Sequence, residues 1–172
     1  MRRVLLTGVS GTGKSAIVAE LLARGHHAVD LDCPAYSHWV AASAVPAAAG
    51  TPVEPGRDWV WREDRVRELL APENGPPSFV SGCAANMGAF LPCFDDVVLL
   101  SAPPPVIAAR LAARPRGAYG QRPAEAARVL ALIETVEPLL RRRADHELDT
   151  SGSVEQAVAA VLAIAGARTS ER

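Results

Sequence analysis

Gly8-Val9-Ser10-Gly11-Thr12-Gly13-Lys14-Ser15 is the stretch on which the reading of this sequence turns. It matches the phosphate-loop pattern G-x-x-x-x-G-K-[ST] at every fixed position. Its flanks agree with that reading. Arg3-Val4-Leu5-Leu6-Thr7 is a short apolar run of strand length, and Lys14 to Arg24 sets Ile17, Val18, Leu21 and Leu22 on one helical face. Glycines let successive amide N–H groups turn inward around an anion, and the N-terminus of the following helix favours negative charge. Gly8, Ser10, Gly11, Thr12, Gly13, Lys14 and Ser15 are therefore expected to hold the phosphates of ATP. Lys14 would bridge the β- and γ-phosphates, and the Ser15 hydroxyl would ligate Mg²⁺. Lys14 is also the only lysine in a chain rich in arginine.

Outward from this loop, short apolar runs alternate with helical patterns. Strands are expected at 3–7, 27–31, 78–81, 97–100 and 146–148. Helices are expected at 14–24, 58–70, 103–113, 123–143 and 154–165, with a short one at Pro34–Ala42. Asp58 and Ser153 are placed to cap their helices, Gly25 to stop the first, and Pro138 to bend the fourth. Val45–Arg57, with three prolines and two glycines, reads as a loop. Strands alternating with helices predict an α/β fold with a parallel sheet covered on both faces.

The 172 residues suggest one domain, here 1–166, with a frayed tail over 167–172. A net charge of −1 offers no basic excess for nucleic acid or a membrane. Neither is expected as a partner. Cys33, Cys83 and Cys93 form no CxxC pair, so a disulfide framework or zinc cluster is not indicated, and a reducing cytoplasm fits.

The class of phosphate-loop protein follows from where the acids lie. Motor ATPases end an apolar strand with Asp, but here Phe79-Val80-Ser81-Gly82 carries none, and Asp95-Asp96 precede a strand. No Asn-Lys-x-Asp guanine motif occurs. Instead Asp30-Leu31-Asp32 ends the second strand, and residues i and i+2 share a face. Both carboxylates would face the crevice beyond the strand ends. One acid near Mg²⁺ and the other near an acceptor hydroxyl would suit phosphoryl transfer to an alcohol.

An ordered series of elements then resembles the shikimate kinase-like branch of the nucleoside-monophosphate kinase superfamily. It comprises the loop, Asp30-x-Asp32, Trp61-Arg62, Ser81-Gly82, Val97–Leu100 leading into Pro103–Arg114, Arg122-Pro123, Glu137-Pro138-Leu139-Leu140 and His146–Thr150. The resemblance implies a P-loop NTPase three-layer sandwich with a five-stranded parallel sheet in the order 2-3-1-4-5. It implies an acceptor-binding insert at about 33–71 and a lid at about 115–122. It also implies that Asp30 supports the Mg²⁺ shell and that Asp32 holds and deprotonates the acceptor hydroxyl, while Arg62 and Gly82 contact the acceptor; Asn86, just after the strand-three turn, is itself placed to hydrogen-bond it. Arg122 would close over the phosphates as a catalytic residue beside Lys14 and Asp32, Arg114 would lie by the adenine, and the Thr150–Ser153 turn would line its pocket. The chain departs from shikimate kinases at Val136, where they carry an arginine, and at Cys83-Ala84-Ala85, where they carry glycines. Both departures argue against shikimate itself.

Arg114, Arg116 and Arg122 compete for the lid role, with Gly117 and Gly120 as hinges, and Arg122 is favoured. Arg141–Arg143 reads as a solvated helix end. Trp39, Trp59 and Trp61 either stack on an acceptor ring or pack. Cys83 reads as a small buried side chain. The expected protein is an ATP-dependent small-molecule kinase, a monomer or homodimer, with nucleoside or nucleotide kinase as a variant. The alternative is a non-catalytic or slowly hydrolysing ATP-binding module acting through a partner.

Overall fold

The computed structural model describes residues 1–45, 50–72 and 74–167. Its main sheet holds strands β1 (Arg3–Thr7), β2 (His27–Asp30), β5 (Ser78–Ser81), β6 (Asp96–Ser101) and β7 (His146–Asp149), all parallel, in the order β2-β5-β1-β6-β7. Counting only these strands, this is the expected 2-3-1-4-5 order. Alternation along β1 makes the layers. Val4 and Leu6 join a core with Ile17, Val18 and Leu21 of α1 (Lys14–Ala23) and Ala157, Val158 and Val161 of α6 (Val154–Ala167). Leu5 faces the other way, onto Trp61, Phe90, Leu140 and Val66 of α2 (Glu63–Leu70). A third cluster packs α3 (Pro104–Ala112) and α4 (Pro123–Thr135) beneath the phosphate loop through Val9, Ile107, Leu111, Val129 and Leu132.

Helix ends follow their sequence signals. α1 stops where Gly25, at φ +81°, lets its own N–H reach Leu22 O and the His26 N–H reach Leu21 O. Ser153 Oγ accepts from the Gln156 N–H, and the Gln156 side chain accepts from the Ser153 N–H, so the start of α6 is capped in both directions. The expected long fourth helix divides at Val136 into α4 and α5 (Glu137–Arg141), with Pro138 in the first turn of α5. Helix α6 runs on to Ala167, and the expected frayed tail from 168 lies outside the described residues.

One region differs from the sequence reading. Pro34–Ala42 is not a helix, and Asp58 does not cap one. After a turn at Cys33–Tyr36 the chain forms β3 (Ser37–Ala41), which pairs antiparallel with β4 (Arg57–Trp61), Trp39 opposite Trp59. The local sequence tolerates a helix, but cross-strand pairing of aromatic and β-branched residues outweighs so weak a preference. Asp58 lies buried within β4, its carboxylate accepting from the Val53 and Trp59 N–H groups. Trp61, expected on the helix, ends β4 and packs on Phe90 at 5.6 Å between ring centroids.

Asp95 and Asp96 sit at the opposite end of the sheet from the phosphate loop. Asp95 accepts from the Arg3 N–H, and Asp96 pairs with Arg2 at 2.7 Å. Both acids are structural.

Candidate active site

The segments that follow β1, β2, β5 and β7 line one cleft of about 730 Å³. The phosphate loop forms its floor. Gly8 approaches the sheet so closely that a Cβ there would collide with the carbonyl oxygen of Leu100. Gly13, at φ +96°, turns the chain into α1 in a left-handed conformation that a side chain would strain. Lys14 is buried and stretches back over the loop, donating to Gly8 O at 2.6 Å and Val9 O at 3.3 Å.

The strand-two acids meet this loop. Ser15 Oγ donates to Asp30 Oδ2 at 2.6 Å. Asp32 Oδ2 lies 3.5 Å from Lys14 Nζ, and Asp32 Oδ1 accepts from the Cys83 N–H at 3.1 Å. Asp30 Oδ1 accepts from the Asp32 N–H at 3.0 Å, which fixes the two acids side by side. The Asp32 side chain keeps 27% of its surface open while lying deep in the cleft. Desolvation there raises its pKa above the ordinary carboxylate value, with Lys14 opposing the shift. Burial likewise pushes the Cys83 thiol up, so Cys83 is a neutral wall and not a nucleophile.

Two arginines of α3 and its end bound the nucleotide side. Arg110 donates to Gly11 O, Thr150 Oγ1 and Thr150 O. Thr150 Oγ1 in turn donates to Thr12 O at 2.8 Å. Arg114 donates to Ser10 Oγ at 3.0 Å and to Tyr119 O. Desolvation lowers the Arg114 pKa, a cost that an adjacent phosphate would offset.

The sequence reading singled out residues that the structure separates. The loop residues, Lys14, Ser15, Asp30, Asp32 and Arg114 converge. Arg122 does not: its side chain is 82% exposed and its guanidinium is 3.7 Å from Glu125. Arg62 reaches Pro34 O and ties the Cys33–Tyr36 turn to α2. Asn86 is spent on the main chain of Trp61, accepting from its N–H at 2.8 Å and donating to its carbonyl at 3.0 Å. Gly82 faces the Trp61 ring, whose atoms lie 3.0 Å from where a Cβ would stand.

Arg110 was missed, although its place one turn before Arg114 on an expected helix was a usable signal. Arg143, read as a solvated helix end, lines the cleft beside Gly88, whereas Arg141 is the one paired with Glu137 and Glu147. Nothing in the local sequence separates those neighbours. The segment expected to be a lid, 115–122, is tied by Gly117 N–H to Gln121, Gly120 N–H to Glu125 and Gln121 Nε2 to Arg114 O.

Among the described residues no group of three His, Cys, Asp or Glu side chains is arranged to hold a metal. The Ser15–Asp30 pair nevertheless fits Mg²⁺, which takes few protein ligands and fills its shell with phosphate oxygens and water.

The fold is a P-loop NTPase α/β sandwich, and solved small-molecule kinases share it. Among solved structures, shikimate kinase from Acinetobacter baumannii in complex with shikimate superposes with a TM-score of 0.60 at 17% identity, covering 95% of this chain and 92% of that one. Shikimate kinase from Bacteroides thetaiotaomicron gives 0.60 at 20% identity, covering 95% and 97%. A gluconokinase from Sinorhizobium meliloti gives 0.57 at 18%, covering 99% and 94%. No protein-family model matches the sequence. No curated protein matches it. Among the described residues no helix is long and apolar enough to cross a membrane.

Proposed function

We propose that this protein is an ATP-dependent phosphotransferase that moves the γ-phosphate of ATP to a hydroxyl of a small molecule. The observation that carries the reading is the 3.5 Å approach of Asp32 to Lys14 at the mouth of the phosphate loop. It puts a hydroxyl-holding carboxylate beside the phosphate-holding ammonium. Solved structures of the same fold include shikimate kinases and a gluconokinase, which supports the class of reaction.

The roles follow from the geometry. The loop amides and Lys14 grip the β- and γ-phosphates. Lys14 exchanges its hold on Gly8 O and Val9 O for phosphate oxygens. Ser15 and Asp30 would hold Mg²⁺, which would supply charge neutralisation for the phosphates. Asp32 accepts a hydrogen bond from the acceptor hydroxyl and takes its proton as the new O–P bond forms. The bond from the γ-phosphorus to the β,γ-bridging oxygen breaks, and ADP leaves. The raised pKa of Asp32 makes it a better proton acceptor than an ordinary carboxylate. Arg114 compensates phosphate charge from the Ser10 side, and Arg110 with Thr150 shapes the nucleoside end. The lid at 115–122 closes to keep water from competing with the alcohol.

The test is a coupled ADP-release screen over uncharged alcohols, sugars, nucleosides and hydroxy acids. Acceptor-dependent ADP release that Asp32→Asn abolishes is the expected result. Tight ATP binding with no acceptor-dependent release from any compound would favour the ATP-binding module instead.

A further inference from the structure

The half of the cleft beyond Asp32 is walled by side chains whose chemistry restricts what the acceptor is. Trp39 and Trp59 stand edge to face across the β3–β4 pair, ring centroids 5.0 Å apart, and both line the cleft. Val136 and Leu139, from the α4–α5 junction, line the same cleft. The two walls are bridged. Arg128 of α4 donates to the carbonyls of Pro52 and Val53, in the connector between β3 and β4, and Gly50 lies against Leu139. The acceptor half is thus a largely apolar chamber with walls on two sides.

Its polar groups are few and mostly committed. Asp58 lines the cleft but is bound to the amides of Val53 and Trp59. Lys14 belongs to the phosphates and Asp32 to the reacting hydroxyl. Tyr119, which also lines the cleft, carries a buried hydroxyl with no hydrogen-bond partner. That is a neutral group, suited to a second hydroxyl on the acceptor. Two further cations flank the chamber: Arg143 lines the cleft beside Gly88, away from the tryptophans, and Arg57 stacks 4.4 Å over the Trp39 ring while paired with Glu54. A carboxylate placed against Val136, Leu139 and the tryptophans would lose its hydration and gain no partner.

We propose that the acceptor is a neutral alcohol with an aromatic or alicyclic body. Its reacting hydroxyl meets Asp32, its ring lies between the tryptophan pair and the Val136–Leu139 wall, and a further hydroxyl meets Tyr119. The proposal rests on the phosphotransferase reading for which end of the acceptor reacts. The chamber's preference for neutral ligands can be measured without turnover.

The experiment uses the full chain with Mg²⁺ and the β,γ-imido analogue of ATP. Calorimetry compares 1-phenyl-1,2-ethanediol with mandelate, which shares the phenyl ring and carbinol but replaces the CH₂OH by a carboxylate. The diol should bind at least about tenfold more tightly. Val136→Arg, which places a cation in the apolar wall, should shrink that preference by about tenfold or reverse it. Mandelate binding as well as or better than the diol would overturn the proposal, most directly if Arg143→Ala then abolished its binding. Binding of neither ligand, or a preference that Val136→Arg leaves unchanged, would overturn it too. Tight diol binding with no ADP release from ATP would uphold the neutral chamber and remove the phosphotransferase reading instead.

Discussion

The nucleotide half of the cleft is made largely of main chain, and the acceptor half of side chains. In the first, loop amides, the carbonyls of Gly8, Val9, Gly11 and Thr12, and the start of α1 do the positioning. In the second, Trp39, Trp59, Val136 and Leu139 come from three distant segments and meet only after folding. Main-chain geometry recognises what all nucleotides share, while side chains can be exchanged without disturbing the sheet. Under the proposed function, one half would serve a common substrate and the other would be free to vary in what it accepts.

The sharpest way to break this division is at its boundary, Lys14. Lys14→Ala should lower turnover by about 10²-fold or more, since electrostatic contacts to transferring phosphate have about that worth. Circular dichroism should show the fold retained. Unchanged turnover would remove the loop from the chemistry.

Next in size is Asp32→Asn, expected to cut phosphoryl transfer by about 10²-fold while ATP affinity changes only a few-fold. Equal losses in both would move Asp32 to the metal side. The wild-type pH profile sharpens the same point. Desolvation raises the Asp32 pKa, and only the ionised form accepts a proton. Activity should then fall on acidification at a pH above the ordinary carboxylate range, and the Asn variant should lack that limb. A limb at the ordinary carboxylate pKa would mean that Asp32 titrates as a solvated group.

A smaller effect separates the two lid arginines. Arg114→Ala should lower kcat/KM by about tenfold or more, through loss of a charge-assisted phosphate contact. Arg122→Ala, with its side chain in solvent beside Glu125, should cost less than about tenfold. The reverse order would show that lid closure carries Arg122 across the cleft. Hydrogen exchange across 115–122, slowed on adding Mg²⁺, the imido analogue and acceptor together, reads that closure directly.

The least effect on catalysis belongs to Asn86. Its amide holds both main-chain groups of Trp61, so Asn86→Ala should cost about 1–3 kcal/mol of stability. The melting temperature should fall by about 2–4 °C per kcal/mol, with kcat scarcely altered. A large drop in kcat at unchanged melting temperature would return Asn86 to acceptor contact.

The same division explains what could be read in advance. The loop, the strand-two acids and the sheet order follow from patterns within a few residues: a glycine spacing, an i, i+2 pair, alternating apolar runs. The β3–β4 pair was hidden because its strands find each other across Val45–Gly56, and neither carries a decisive local preference. Asn86 and Arg62 were hard to place for a related reason. Only tertiary structure reveals that the Asn86 amide bonds the main chain of Trp61 and that Arg62 Nε reaches Pro34 O.

Thr150 ties the last strand to the first loop. Its hydroxyl donates to Thr12 O and also reaches Ser101 O, and Arg110 grips it from α3. A nascent chain leaving the ribosome carries the whole glycine loop early but none of this brace. The brace can close only once Thr150 has been made, long after the loop it ties down, so the two are united by the fold and not by their order of synthesis.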